Sequence, residues 1–267
     1  MKPIDVESPS EIFQPRQIIH SEKNTLISTN HITHFTDKFG VLLEILKNGF
    51  KPSSCDESQI YKKEYEELET MIRFMGSEPP TIEDVSVPMV CFCDIPLKYS
   101  FSQRKLYGKY GVSLKKDWAI SKWITPVTYV AENTKNHALL FAIYSLIDQA
   151  IAFHRTDKCN TEDNPPLINL HHELYKLRNF IKPYYNSLDN RKFYDEREWR
   201  YVPDNFSVED FENIEKYLKF DLRDIYQIIL TSANERRIVL KLLREFYNED
   251  SKKLIKIRNK VRCRTID

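Results

Sequence analysis

Three short segments of this chain carry side chains able to do chemistry. The first is His31-Ile32-Thr33-His34-Phe35-Thr36, two consecutive His-x-Thr units. The second is Val90-Cys91-Phe92-Cys93-Asp94-Ile95-Pro96-Leu97, followed at a distance by Tyr107-Gly108-Lys109-Tyr110-Gly111. The third is Tyr194-Asp195-Glu196-Arg197-Glu198-Trp199-Arg200. Read as a strand, the third segment puts Glu196, Glu198 and Arg200 on one face, because alternate strand residues point the same way. Two carboxylates so placed can divide the labour of acid–base work and charge stabilisation. They fit equally a solvated face in which Arg200 pairs with Glu198 and holds it ionised. The His-x-Thr units, with His154-Arg155-Thr156, also fit a phosphoesterase or ribonuclease that uses two histidines as base and acid. Alternation opposes that reading, since His31 and His34 fall on opposite strand faces and His154 at a helix end.

Several chemistries are excluded by absent motifs. There is no GxxxxGK[ST], GxSxG, HExxH or GxGxxG, which disfavours nucleotide hydrolases, α/β-hydrolases, zinc proteases and Rossmann dehydrogenases. No CxxC occurs and no Cys/His grouping has zinc spacing, so no metal site is expected. The cysteines, Cys55, Cys91, Cys93, Cys159 and Cys263, read as small buried thiols of a reducing cytosol.

These segments need elements to hold them. β-branched and aromatic residues make His31–Thr36 a strand. Asp37 can cap the helix that follows, with Val41, Leu42, Ile45 and Leu46 at helical spacing and Asn48-Gly49 ending it. Residues 56–75 read as a charged amphipathic helix and Val85–Ile95 as a buried strand. Tyr107–Gly111 reads as a turn feeding a strand at Val112–Leu114. A short helix at Lys115–Trp123 and a strand at Pro126–Val130 follow. Ala138–Phe153 and Leu170–Ile181 are read as helices, Phe193–Val202 as a strand, and 208–219 as a helix. Ile225–Leu230 is a strand, and Ser232 with Glu235 frames a helix from about Asn234 to Tyr247. Leu254–Arg258 is the last expected strand. Strands in both hairpin and helix-separated contexts predict an α+β fold. Residues 1–25 form a polar arm, and 26–267 one domain with helical insertions at about 56–75 and 138–182.

Composition bounds the class. At 267 residues, 41% hydrophobic and 12% aromatic, the chain can bury a full core. Forty basic residues against 39 acidic ones leave +1, so no global attraction to nucleic acid or membrane follows. A nucleic-acid partner would have to use a local patch, such as Arg104, Lys105, Lys109, Lys115 and Lys116. Met1–Ser10 has no apolar core, so no signal or transit peptide is expected, and the expected location is cytoplasmic. Ala138–Phe153 is too short and too interrupted for a membrane span.

Over roughly residues 30–205 the chain resembles the AbiGi family of bacterial abortive-infection, phage-resistance proteins. The resemblance rests on Pro88–Leu97, Tyr107–Gly111 and Tyr194–Arg200, in that order. The opening is similar to DarT-like, NAD-using ADP-ribosyltransferases: His34-Phe35-Thr36, then Leu42/Leu43, Ile45-Leu46 and Asn48-Gly49-Phe50. AbiGi proteins are described as antitoxins, whereas the transferase likeness implies a bent, ADP-ribosyltransferase-like sheet decorated with helices and NAD as substrate. It implies Glu198 beneath the ribose, where a carboxylate stabilises the growing oxocarbenium charge. Glu196 would then orient the acceptor or take its proton. His34 with Thr36 would hold NAD, Tyr107 or Tyr110 would stack on nicotinamide, and Arg104 would pair with the pyrophosphate. Gly108 and Gly111 would permit close backbone approach. One departure is Cys91-Phe92-Cys93-Asp94, where that fold usually carries a hydroxyl or tyrosine. The expectation is an anti-phage protein transferring ADP-ribose to a phage or host macromolecule. The alternative is a non-enzymatic antitoxin or sensor that binds a cognate partner.

Overall fold

The computed structural model describes residues 28–56, 86–131, 134–139, 142–143, 146, 173, 176–177, 179–185, 191–204, 209–247 and 261–263. In chain order its elements are β1 (His31–Thr36), α1 (Phe39–Asn48), β2 (Ser53–Asp56), β3 (Ser86–Cys93), α2 (Phe101–Tyr107), β4 (Tyr110–Lys115) and α3 (Lys116–Ser121). They continue with β5 (Thr125–Pro126), β6 (Thr128–Val130), β7 (Ile181–Pro183), β8 (Glu198–Tyr201), β9 (Ile225–Leu230), α4 (Ala233–Tyr247) and β10 (Val261–Cys263). Eight strands form one sheet in the order β10-β9-β4-β1-β3-β8-β5, with β2 paired to β3. All its ladders are antiparallel except β10–β9, and β6–β7 form a separate parallel pair. Among the described residues the α+β expectation holds as a mixed structure built on a mainly antiparallel sheet with few helices.

Register divides the sheet into two faces. Ile32, Val112, Leu114, Phe92, Ile228 and Leu230 point to the main core, which Leu42, Ile45 and Leu46 of α1, Trp118 of α3 and Val239 and Leu243 of α4 complete. The opposite face carries Thr33, Cys93 and Glu198, aligned across β1, β3 and β8. Its apolar cluster is small: Phe35, Cys93, Ile95 and Ile229. Beside it Thr33 and Ser113 share a 2.8 Å hydroxyl hydrogen bond, to which Gln227 adds a 3.2 Å donation.

The ladders of β1 are unequal. β1 and β4 pair from His31↔Lys115 to Thr36↔Tyr110, whereas β1 and β3 share only Thr33↔Cys93. Beyond that pair the sheet opens. The His34 imidazole enters the gap, and its Nδ1 lies 2.8 Å from the Cys91 carbonyl.

Several expectations are corrected. Asp37 does not cap α1; the N-cap is Lys38, with no side-chain cap hydrogen bond. Gly49 does end α1, at φ 88°, with its N–H donating to Ile45 O at 2.9 Å. Tyr107 belongs to α2 rather than to a turn. The strand expected from Phe193 begins only at Glu198, opposite Cys93 at the end of β3; one further backbone bond, Asp94 N–H to Arg197 O at 3.0 Å, precedes it. Phe193–Glu196 coil instead into a 3₁₀ turn, and Arg197 takes a left-handed φ of 45°. The helix expected over 208–219 is two 3₁₀ turns, Glu209–Glu212 and Ile214–Lys216. Between them the Asn213 side chain takes the Glu215 N–H at 3.0 Å, competing with a helical ladder. The strand expected at Pro126–Val130 splits at Val127, whose N–H donates to Glu198 O at 2.9 Å. Ile181 opens β7 rather than closing a helix. The capping box at α4 is present: Ser232 N–H donates to Glu235 Oε2 at 2.9 Å, and Glu235 N–H to Ser232 Oγ at 3.2 Å. The arm at 1–25, most of the insertions at 56–75 and 138–182, and the expected strand at 254–258 lie outside the described residues.

α3 ends in an unusual cap. Ile124 N–H donates to Ala119 O at 3.0 Å and Trp123 N–H to Ile120 O at 3.1 Å, the paired bonds of a Schellman motif. The left-handed position of that motif, normally glycine, is Trp123 at φ 58°. Ile124 is buried by the turn while Trp123 is 87% exposed.

Candidate functional site

A cavity of about 220 Å³ lies at the opening between β1 and β3. Thr33, His34, Phe35, Met89, Cys91, Phe92 and Cys93 wall it, and Tyr107, Lys182, Glu196 and Glu198 form its charged end. β8 supplies Glu198, the 3₁₀ turn before it supplies Glu196, and β7 supplies Lys182. His34 also lines a second, larger groove of about 1140 Å³ along α1, with Lys38, Lys51, Glu212 and Tyr217.

The charged end is a closed network. Lys182 Nζ lies 2.9 Å from Glu196 Oε2 and 2.9 Å from Glu198 Oε2. Arg200 donates from Nε to Glu198 Oε1 at 2.7 Å, and from Nη1 to the Asn179 carbonyl at 2.7 Å. Tyr107 Oη donates to Glu196 Oε1 at 3.0 Å, and Arg191 Nε lies 3.6 Å from the same oxygen. The Glu198 backbone N–H donates to Tyr129 Oη at 2.8 Å. Glu196, Glu198, Lys182 and Arg200 are all buried, Arg200 completely.

Burial alone would raise the Glu198 carboxyl, but Lys182 and Arg200 overcome it and hold the pKa at about 2. Burial likewise opposes charge on Lys182, yet Glu198 and Glu196 raise its pKa. Burial lowers the pKa of His34 and keeps the imidazole neutral, with the Cys91 carbonyl working against it. Burial and the nearby carboxylates raise the phenols of Tyr107 and Tyr129. The Cys93 thiol is pushed up to about 12 by burial.

The structure thus brings together Glu196, Glu198, His34 and Tyr107. It does not bring the others to the cavity. Thr36 is buried at the end of β1, and Tyr110 donates to Glu235 Oε1 at 2.6 Å, tying β4 to α4. Arg104 lies on α2 outside the lining. Gly108 permits close approach, but to the chain itself: a Cβ there would lie 2.1 Å from Asp37 N. Gly111 packs between Phe35 and Ile229. His31 stacks on Tyr226 at 4.0 Å, on the face of the sheet opposite His34, and His154 lies outside the described residues. Among the described residues no group of three or more metal-ligating side chains converges, and no helix is long and apolar enough to cross a membrane.

Sequence reasoning missed Lys182, the hub of the network. Nothing in Ile181-Lys182-Pro183 marks it, since the strand is three residues long and among the described residues pairs only with β6. Arg191, Tyr129 and the Asn179 carbonyl were missed for the same reason: each reaches the site through tertiary contact alone.

A family model described as "Putative abortive phage resistance protein AbiGi, antitoxin" matches residues 49–231. That span takes in Cys91–Asp94, Lys182 and Glu196–Arg200 and begins after His34. A curated relative, "Abortive phage resistance protein AbiGi" of Lactococcus lactis subsp. cremoris, is 30% identical over 148 residues. The match covers 49% of this chain, and the chain spans 56% of the length of that relative. No solved structure matches the chain.

Proposed function

Since the chain belongs to the AbiGi family of abortive phage-resistance proteins, we propose that it is the antitoxin of an abortive-infection pair in the bacterial cytoplasm. In this reading it binds a cognate toxin and turns over no substrate. The observation that carries the reading is the state of the two carboxylates. Glu196 and Glu198 share Lys182, and Arg200 takes the other oxygen of Glu198. A carboxylate whose field is already balanced by two buried cations has little left with which to stabilise a cationic transition state. Such a network is instead a way to fix one arrangement of β7, β8 and the turn between them.

Growth assays test this. Expressed alone, the chain leaves growth and cellular NAD unchanged; co-expressed with the toxin of its own locus, it restores growth. Toxicity of the chain alone, removed by Glu198→Gln, would overturn the antitoxin reading.

A second reading, transfer of ADP-ribose from NAD with Glu198 as catalytic carboxylate, is favoured by one specific observation: His34 and Glu198 line the same cavity. Here the C1′–N bond to nicotinamide breaks, the nicotinamide leaves with the electron pair, and a nucleophile of the target macromolecule takes the ribose carbon. The purified chain would then release nicotinamide from NAD, and His34→Ala would weaken NAD binding. Absence of NAD loss in the presence of phage-infected extract removes this reading.

A further inference from the structure

The segment from Leu97 to Lys109 is used only in part by the site. Its inner side chains are fixed: Ser100 donates to Leu97 O at 2.9 Å, and Gln103 Nε2 donates to Asp195 O at 3.2 Å. Tyr107 is tied to Glu196, and Gly108 is pressed against the Thr36–Asp37 backbone. Its outer side chains pack against little. Tyr99 is 59% exposed, Phe101 57% and Leu106 52%. Lys98, Lys105 and Lys109 are exposed beside them, with Arg104 half-buried. No acidic residue occurs from Leu97 to Lys109, so this stretch holds four cations in a chain whose overall charge is +1. Among the described residues the acids that come near are Glu196, which accepts from Tyr107 on the inner side, Asp37 beside Gly108, and Asp195, whose backbone oxygen takes the Gln103 amide.

We infer that this 3₁₀ turn and α2 form a binding platform for single-stranded polynucleotide. Unpaired bases expose π-faces that stack on exposed aromatic rings regardless of sequence, while flanking lysines and arginines follow the phosphates. Tyr99 and Phe101 supply the rings, and Lys98, Arg104, Lys105 and Lys109 supply the charge. Lys98 Nζ already lies 4.5 Å over the Tyr99 ring, so cation and aromatic form one unit. The anchored inner side holds the outer rings in place before binding, which lowers the ordering cost. A duplex hides its base faces and would meet only the charges. The inference is independent of the antitoxin reading.

The test is fluorescence anisotropy on the full chain with labelled oligo(U) and oligo(dT) of about 12 nucleotides, within the site sizes such platforms cover, and a duplex of matched length. The single-stranded probes bind at least about tenfold more tightly than the duplex. Tyr99→Ala and Phe101→Ala each weaken them by about tenfold or more, while Trp123→Ala, an exposed aromatic elsewhere, does not. Neutralising Lys98, Lys105 and Lys109 together reduces the slope of log affinity against log salt by about 2. The better of the two single strands identifies RNA or DNA as the source. Because the altered side chains are exposed, the variants melt with the parent. Absent binding, equal binding of duplex, or indifference to Tyr99 and Phe101 would overturn the inference. So would loss of toxin suppression by those variants without any oligonucleotide binding, which would make the patch a protein interface.

Discussion

Glu198→Gln keeps the shape of the side chain and removes its charge. In the folded protein the carboxyl pKa is about 2, against 4.5 as the reference. A difference of about 2.5 units at 1.36 kcal/mol each corresponds to about 3 kcal/mol of stability at neutral pH. The side chain is only 8% exposed, so solvent screening removes little of this. The sign follows from linkage. The folded pKa is depressed, so the contribution is complete above about 4.5 and is lost as pH falls toward about 2. Roughly half of it has gone by pH ~3. The assay is urea or thermal unfolding of both proteins from pH ~3 to ~7. At pH ~7 the variant melts lower by about 6–12 °C, taking 2–4 °C per kcal/mol for a chain of this size. The gap between the two proteins then narrows as pH falls below 4.5. A gap that stays constant over this range would refute the claim that Lys182 and Arg200 hold a buried, ionised Glu198.

Two further predictions concern backbone conformation. Trp123→Gly relieves a left-handed Trp that buries little of its ring, so it raises stability by about 1 kcal/mol and Tm by about 2–4 °C, seen in a thermal melt. A lower Tm would show that the ring packs in solution. Gly108→Ala combines φ 121° with a Cβ 2.1 Å from Asp37 N. Because that neighbour is backbone, the end of β1 and the start of β4 must separate, and the protein loses about 3 kcal/mol or more; urea unfolding within 0.5 kcal/mol of the parent, about the scatter of neutral surface changes, would contradict the contact.

Patterns local in the chain were readable from the sequence. Ile225–Leu230 reads as a strand because β-branched and aromatic residues dominate it, with Gln227 as its one polar member, and it is one. Ser232 and Glu235 mark the start of α4 because both partners of the box lie within one turn. Gly49 marks the end of α1 because the left-handed cap needs no distant partner. Glu196 and Glu198 meet, but by another route than strand alternation predicts. Only Glu198 is in a strand, and Arg197 in a left-handed conformation turns Glu196 back. What unites them is Lys182, contributed from 14 and 16 residues earlier along the chain. A short strand joined by tertiary contact has no periodicity to read.

His34 shows the same limit and permits a last prediction. Alternation places it on the core face, where it meets Phe50 and Phe92 edge-on at 5.2 and 5.9 Å. It nevertheless borders the cavity that holds Glu198, because the β1–β3 ladder stops at Thr33↔Cys93 and the ring enters the gap. Its Nδ1 takes over the Cys91 carbonyl that a continued ladder would have used, so the side chain substitutes for a backbone donor. His34→Leu fills the same space without a donor and leaves that carbonyl unsatisfied, at a cost of about 1–3 kcal/mol. The parent should also lose stability as pH falls below the reference of 6.5, because the depressed folded pKa means the unfolded chain takes up the proton first. That limb lies well above the Glu198 window. It should be absent in His34→Leu and present in Glu198→Gln, with unfolding followed from pH ~5 to ~8. An identical limb in His34→Leu would mean that the imidazole does not replace the missing rung of the ladder as a neutral donor.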